Sequence, residues 1–219
     1  MTKTKFTQTK KTFSQFPIKK ILKGTLILKP GDKFENIYFI RTGYVRTFTK
    51  TATGENTLNL FKPLYVMSVI HCFVEYYNDF YFEALTPVEV SIIPKKDFLK
   101  LMSEDPQSIP SFIKYFFSFL STYFTDQGNI INGNSMNKIA TVLFQLTGNY
   151  GETQNNETIV NFPTTHRIIA NMVGLTRETA SVQMSKLQKL GIISTKRNQF
   201  IVKDLEKLKK LATLATINS

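Results

Sequence analysis

Residues 164–193, TTHRIIANMVGLTRETASVQMSKLQKLGII, constrain this chain more than any other stretch. Ile169, Met172 and Val173 stand at i, i+3 and i+4, which gives a first short helix one apolar face. Thr164 or Thr165 is placed to cap its start by accepting a backbone N–H, and Gly174 to end it in the left-handed conformation. Thr176 then caps a second helix that ends near Leu190, with Gly191 as its stop. In that helix Ala180, Met184 and Leu187 share one face, which must be the buried one. At about 100° per residue this turns Glu178, Val182, Ser185, Lys186 and Lys189 outward. Arg177 lies at the start of the second helix, where the pair meets. Such a pair presents the first turns of its second helix to base edges while the first helix crosses the phosphate backbone. Taken alone, the same periodicity also fits a helical hairpin with a solvated charged face.

The residues that follow separate these readings. Ser194-Thr195-Lys196-Arg197-Asn198-Gln199 is a short basic turn, and Phe200-Ile201-Val202 is an apolar β-prone run. Two helices followed by a basic-tipped hairpin predict a winged helix-turn-helix. Its tip places Lys196 and Arg197 within reach of phosphates or a minor groove.

Charge is consistent with a nucleic-acid partner. The 219 residues suffice for two modest domains and carry a formal charge of +12. Residues 134–219 hold eleven Lys and Arg against five Asp and Glu, a net of +6. Residues 1–33 hold nine against one, a net of +8, while 34–133 hold eight against ten, a net of −2. The positive charge is therefore confined to the two ends, and a basic C-terminal domain gains DNA affinity through counterion release. The basic N-terminus reads as a solvated, partly disordered arm.

Other classes find little support. A single cysteine, Cys72, excludes an intramolecular disulfide and suggests a reducing compartment; amid apolar residues it reads as inert filler or, less simply, as a sensor. The start, MTKTKFTQTKKTF, lacks the apolar core of a signal peptide, and no apolar run reaches the roughly 18 residues of a membrane span. A soluble, cytoplasmic protein without a membrane partner is expected. His71 and His166 are far apart, and HExxH, GxSxG and P-loop patterns are absent, so no enzyme and no metal site is expected.

Upstream, short β-prone runs alternate with turn signals. They are Thr25–Leu28, Asn36–Ile40, Tyr44–Thr49, Thr57–Phe61 and Val88–Ile93, with Lys29-Pro30-Gly31-Asp32, Arg41-Thr42-Gly43 and Thr53-Gly54-Glu55-Asn56 between them. This spacing predicts a small barrel or double-layered roll. From Ser111 to Phe124, Phe112, Phe116, Phe119 and Tyr123 recur at i, i+4, i+7 and i+11, and Ile113, Phe117, Leu120 and Phe124 repeat the spacing one residue on. A helix apolar over so wide an arc needs two neighbours, either the roll and a symmetry mate or the core of one domain. Gly128, Asn129, Asn132, Gly133 and Asn134 read as a hinge, and a helix from about Ser135 to Asn149 follows.

The segment HRIIANMVGLTRETASVQMSKLQKLGII resembles the recognition helix of the Crp/Fnr transcription regulators, matching at Val173, Gly174, Thr176, Arg177, Glu178, Thr179, Leu187 and Gly191 to Ile193. LKGTLILKPGDKFENIYFIRTGYVRTF resembles the opening of that family's cyclic-nucleotide-binding-like jelly roll, and IIPKKDFLKLM the segment that closes it. The fold implied is α+β: an N-terminal arm and jelly-roll β-barrel over 1–108, a dimerisation helix and hinge over 109–133, and a winged helix-turn-helix over 134–219. The function implied is sequence-specific recognition of double-stranded DNA by a homodimer on a palindromic site, in concert with RNA polymerase. An effector-binding module whose C-terminal domain serves protein or RNA interaction is the alternative. The DNA-contacting set is Thr165, His166, Thr176, Arg177, Glu178, Thr179, Ser181, Val182, Lys186, Lys196 and Arg197, and the dimer set is Phe112, Phe116, Phe119 and Tyr123.

Two departures from the family matter. Val182 stands where the family usually has a base-reading arginine; valine cannot donate to guanine but packs on a thymine methyl, so a shifted half-site is expected. Glu178 keeps an acceptor for a cytosine N4 proton, Arg177 suits a guanine or a phosphate, and His166 falls where the family often has a phosphate-contacting basic residue. In the roll, the family's Phe-Gly-Glu turn and following arginine are replaced by Tyr65-Val66-Met67-Ser68-Val69-Ile70, with no arginine between Arg46 and Arg167. Cyclic AMP binding is not expected, and one cysteine cannot hold the family's iron–sulfur cluster. Any small-molecule effector is unidentified; Phe73, Tyr76, Tyr77, Phe80, Tyr81 and Phe82 fill either a core or an aromatic pocket.

Overall fold

The computed structural model describes residues 13, 15–52, 54–74, 77–104, 108–155, 157–162, 165–196 and 199–213. The chain divides into two compact units, Met1–Lys114 and Tyr115–Ser219.

The first unit is a roll of two four-stranded antiparallel sheets. One sheet runs β1 (Ile18–Ile21), β8 (Val88–Pro94), β3 (Asn36–Thr42), β6 (Val66–Met67); the other runs β2 (Leu26–Leu28), β7 (Tyr81–Ala84), β4 (Val45–Thr51), β5 (Gly54–Phe61). Successive residues of a strand face opposite sides, and β3 uses both. Ile40 joins Val45, Met67, Phe82, Ala84, Val88 and Val90 in one core cluster, with Tyr38 packed against it. Ile37 and Phe39 join Phe13, Cys72, Ile93 and Phe98 in a second. Phe98 belongs to α1 (Lys95–Glu104), the helix that closes the roll. Burying a side chain such as Phe39 is worth about 2 kcal/mol, so β3 is held from both faces.

Gly43 makes the β3–β4 turn possible. Its φ is 82°, and a Cβ there would stand 2.2 Å from the Pro87 carbonyl oxygen. The turn is fixed from across the sheet, where Tyr44 N–H donates to Thr86 Oγ1 at 2.9 Å.

Helix α2 (Ser108–Asn132) begins in the first unit and ends in the second. It corrects the expected hinge. Gly128, Asn129 and Asn132 are helical, and the break is confined to Gly133 and Asn134. Ile130 is buried and Asn132 Nδ2 donates back to the Gly128 carbonyl at 3.1 Å, so packing and local bonding override the glycine's low propensity.

In the second unit α3 (Ser135–Tyr150) opens with a reciprocal capping box between Asn134 and Asn137 and buries Ile139, Ala140, Val142, Leu143 and Leu146. The sheet order is β11 (Ile193–Lys196), β12 (Gln199–Val202), β10 (Glu157–Val160), β9 (Gly151–Gln154). Helix α4 spans His166–Val173, α5 Arg177–Lys189 and α6 Leu205–Ala212. Asn137 Nδ2 donates to the Leu211 carbonyl at 3.0 Å, tying the last turn of α6 to the start of α3.

Candidate nucleic-acid interface

The helix pair is set by its caps. Thr165 Oγ1 accepts the Ile168 N–H at 3.2 Å and opens α4; Thr164 lies outside the described residues. Gly174, at φ 65° and ψ 33°, ends α4, and the Leu175 N–H reaches back to the Ala170 carbonyl at 3.0 Å. Thr176 Oγ1 accepts the Thr179 N–H at 3.1 Å and opens α5. Ile169, Ala170 and Val173 of α4 and Ala180, Met184 and Leu187 of α5 are buried, with Met172 half-buried.

Burying that stripe exposes the opposite face of α5. Arg177, Glu178, Val182, Ser185, Lys186 and Lys189 are exposed, and Ser181 is half-buried at the edge of the face. Val182 is 52% exposed, so its two methyl groups are open to a partner on that face. The Thr179 hydroxyl is 2.9 Å from that of Thr176, so within α5 it belongs to the cap. Thr165 is exposed and His166 half-buried at the entry of α4.

Strands β11 and β12 pair antiparallel with Lys196 opposite Gln199. Lys196 is exposed at the end of β11; Arg197 lies outside the described residues. The structure thus brings the α5 face, the start of α4 and Lys196 into one unit.

Several residues at this surface were not picked out from sequence. Arg167 is exposed in the first turn of α4 and adds a cation beside His166. Gln188 Nε2 donates to Thr195 Oγ1 at 2.8 Å, joining α5 to β11, and Gln199 Nε2 donates to Asn161 Oδ1 at 2.8 Å on the other strand. The first had a local signal in its basic type and position. The other two pairs join residues brought together only by the fold.

The face of α2 is informative as well. Phe117, Phe124 and Ile131 are 64%, 67% and 71% exposed, and Ile113 is exposed too. Of the expected dimer set, Phe116 is half-buried and Tyr123 exposed; the side chains of Phe112 and Phe119 lie outside the described residues.

Within the roll, the stretch that would hold a cyclic phosphate is β6, then Ser68 at φ 69°, then a 3-10 turn over Val69–Cys72. The nearest arginine in sequence is committed elsewhere. Arg46 Nε donates to Glu83 at 2.6 Å and its Nη2 to Glu55 at 2.8 Å, and the guanidinium lies 4.1 Å from the Phe48 ring centroid. Arg41 Nε donates to Ser91 Oγ at 2.8 Å. A guanidinium already shared by two carboxylates is not a free cation for a phosphate. The aromatic run divides: Phe82 enters the core, Phe80 packs against it, Tyr81 stacks on Phe48, and Phe73 and Tyr77 are exposed; Tyr76 lies outside the described residues. Among the described residues no group of three or more His, Cys, Asp or Glu is placed to hold a metal ion, and no helix is long and apolar enough to cross a membrane.

An eight-stranded roll, a long helix and a winged helix-turn-helix with an exposed reading face define a class, the two-part DNA-binding regulators. A Crp-like helix-turn-helix domain matches residues 137–211, and a cyclic nucleotide-binding domain matches residues 18–105. The chain belongs to the Crp/Fnr family of transcription regulators. It is similar to the anaerobic regulatory protein of Pasteurella multocida, 24% identical over 204 residues, covering 91% of this chain and 73% of the relative. It is likewise similar to the anaerobic regulatory protein of Haemophilus influenzae, 26% identical over 196 residues, covering 88% of this chain and 75% of the relative. FixK2 from Bradyrhizobium japonicum shares the fold with a TM-score of 0.78 at 19% identity, over 92% of this chain and 99% of its own.

Proposed function

We propose that this regulator is a cytoplasmic homodimer that binds a palindromic duplex and acts with RNA polymerase, and that its roll does not bind cyclic AMP. The observation that carries the reading is the outer face of α5. Arg177, Glu178, Val182 and Lys186 stand exposed on a helix whose opposite stripe is fully buried. Such a face presents a guanine or phosphate donor, a cytosine acceptor and a thymine-methyl contact in its first turns. His166, Arg167 and Lys196 flank it as phosphate contacts.

The face of α2 supports the dimer. Ile113, Phe117, Leu120, Phe124, Gln127 and Ile131 alternate in steps of four and three, the 3.5-residue period of a two-stranded coiled coil. Most of that seam is exposed in one chain, and a second copy of the helix covers it. Phe116 and Tyr123 then flank the seam rather than form its centre. Two copies place two α5 helices on half-sites about one DNA turn apart.

Control without cyclic AMP rests on the commitment of Arg46 to Glu55 and Glu83. Any effector is of another class, or the protein binds DNA without one. A mobility shift at two salt concentrations tests the DNA reading: a selected duplex is retained against random duplex, and affinity falls as salt rises. Preferential competition by RNA would instead favour the interaction-module reading. Calorimetry with cyclic AMP giving micromolar binding would overturn the account of the roll.

A further inference from the structure

The wing hairpin leaves the core within two residues of Lys196. Opposed residues share a face of the ladder, so Ile193 with Val202 and Thr195 with Phe200 form the inward row. Ile193, Phe200 and Val202 are buried, while Thr195 is exposed. Thr195 is therefore where apolar packing stops holding the hairpin. At that point the side chain of Gln188, in the last turn of α5, donates to its hydroxyl at 2.8 Å. The backbone of the same residue is fixed as well, since the Gln188 carbonyl accepts the Gly191 N–H at 2.9 Å in the turn that ends α5. On the other strand Gln199, opposite Lys196, donates to Asn161 at 2.8 Å. The hairpin is braced from both sides just where it begins to project.

We propose that Gln188 is a positioning residue: through Thr195 it locks the angle of the wing to the reading helix, so that Lys196 reaches a phosphate only when α5 is seated in the groove. The inference rests on the DNA-binding reading above and adds a coupling between helix and wing. Gln188 carries no charge, yet its loss should change the electrostatics of binding, because Lys196 would no longer be held at its phosphate.

The test is the salt dependence of binding of the full-length protein to a duplex it selects itself from random sequence. Each phosphate contact contributes about 0.9 to the slope of log K against log salt. Lys196→Ala should lower the slope by about that amount for each wing engaged. Gln188→Ala should lower it equally, with about a fivefold loss of affinity. The double variant should match either single one. Thr195→Val should behave as Gln188→Ala, and Thr195→Ser, which keeps the acceptor oxygen, as the unaltered protein. Thermal midpoints of the variants should stay within a few degrees of the parent, because Thr195 is exposed and Gln188 is only half-buried. A Gln188→Ala slope equal to that of the parent overturns the inference, as do additive effects of Gln188→Ala and Lys196→Ala. Failure of the unaltered protein to bind any duplex overturns the DNA reading and this inference together, and is recognised before any variant is made.

Discussion

At the scale of single residues, Val182 and Cys72 make the sharpest statements. Val182 is exposed on the outer face of α5, where it has no hydrogen bond to offer and two methyl groups to pack. Val182→Arg should shift the selected base from thymine to guanine, because a bidentate guanine contact is worth about 1–3 kcal/mol. Binding-site selection with both proteins reads this directly, and identical selected sites would contradict it. Cys72 is buried with Phe39, Ile93 and Phe98, and burial pushes its thiol up from 9.0 to about 11, against a smaller opposing influence of Lys95. The folded state then holds the thiol proton more tightly than the unfolded chain does. Its contribution is constant below pH 9 and is lost as pH rises from 9 toward 11. Urea midpoints measured in reductant across that interval should fall more steeply for the parent than for Cys72→Ala. Equal slopes would show that the thiol titrates as if exposed.

At the scale of elements, the sequence was most readable where local chemistry and burial agree. The pair α4 and α5 was anticipated nearly to its ends, since Thr165, Gly174 and Thr176 supply caps at the same places where the apolar stripe begins and stops. Strand β1, IKKI, was hidden in the basic N-terminus because only Ile21 of its four residues is buried. Strand β9, GETQ, is exposed over three of four positions and carries no apolar alternation to read. Helix α2 runs past the sequence's break signal, because buried Ile130 overrides the break that Gly128 and its neighbouring asparagines favour. The braces at Gln188 and Gln199 had no signal at all, since each joins segments that only the completed fold brings together. Glycines separate the same two influences experimentally. Gly174→Ala meets nothing within 4 Å and should cost only the left-handed backbone, about 1 kcal/mol. Gly43→Ala drives a Cβ to 2.2 Å from the Pro87 carbonyl oxygen and should cost several times more. Denaturant unfolding of the two variants checks the order, and equal losses would contradict it.

At the scale of the whole molecule, the proposed assembly and the proposed recognition depend on one another. A single α5 contacts too few bases to select one site in a genome, so specificity requires the second copy that the α2 seam would bring. Phe124→Lys places a charge at the middle of that seam and should weaken association about a hundredfold, about 3 kcal/mol. Sedimentation equilibrium should then show monomer at concentrations where the parent is dimeric, and an unchanged dimer would move the interface off this face. The isolated monomer should retain salt-dependent, nonselective DNA binding, because its phosphate contacts remain.

The most direct test of the account is selection of a binding site from random duplex by the full-length protein, followed by competition against unselected duplex. The account predicts a palindrome with half-sites about one DNA turn apart, thymine opposite Val182, and competition at least about a thousandfold weaker from random sequence. Equal competition by random duplex, or a selected site without two-fold symmetry, would contradict it.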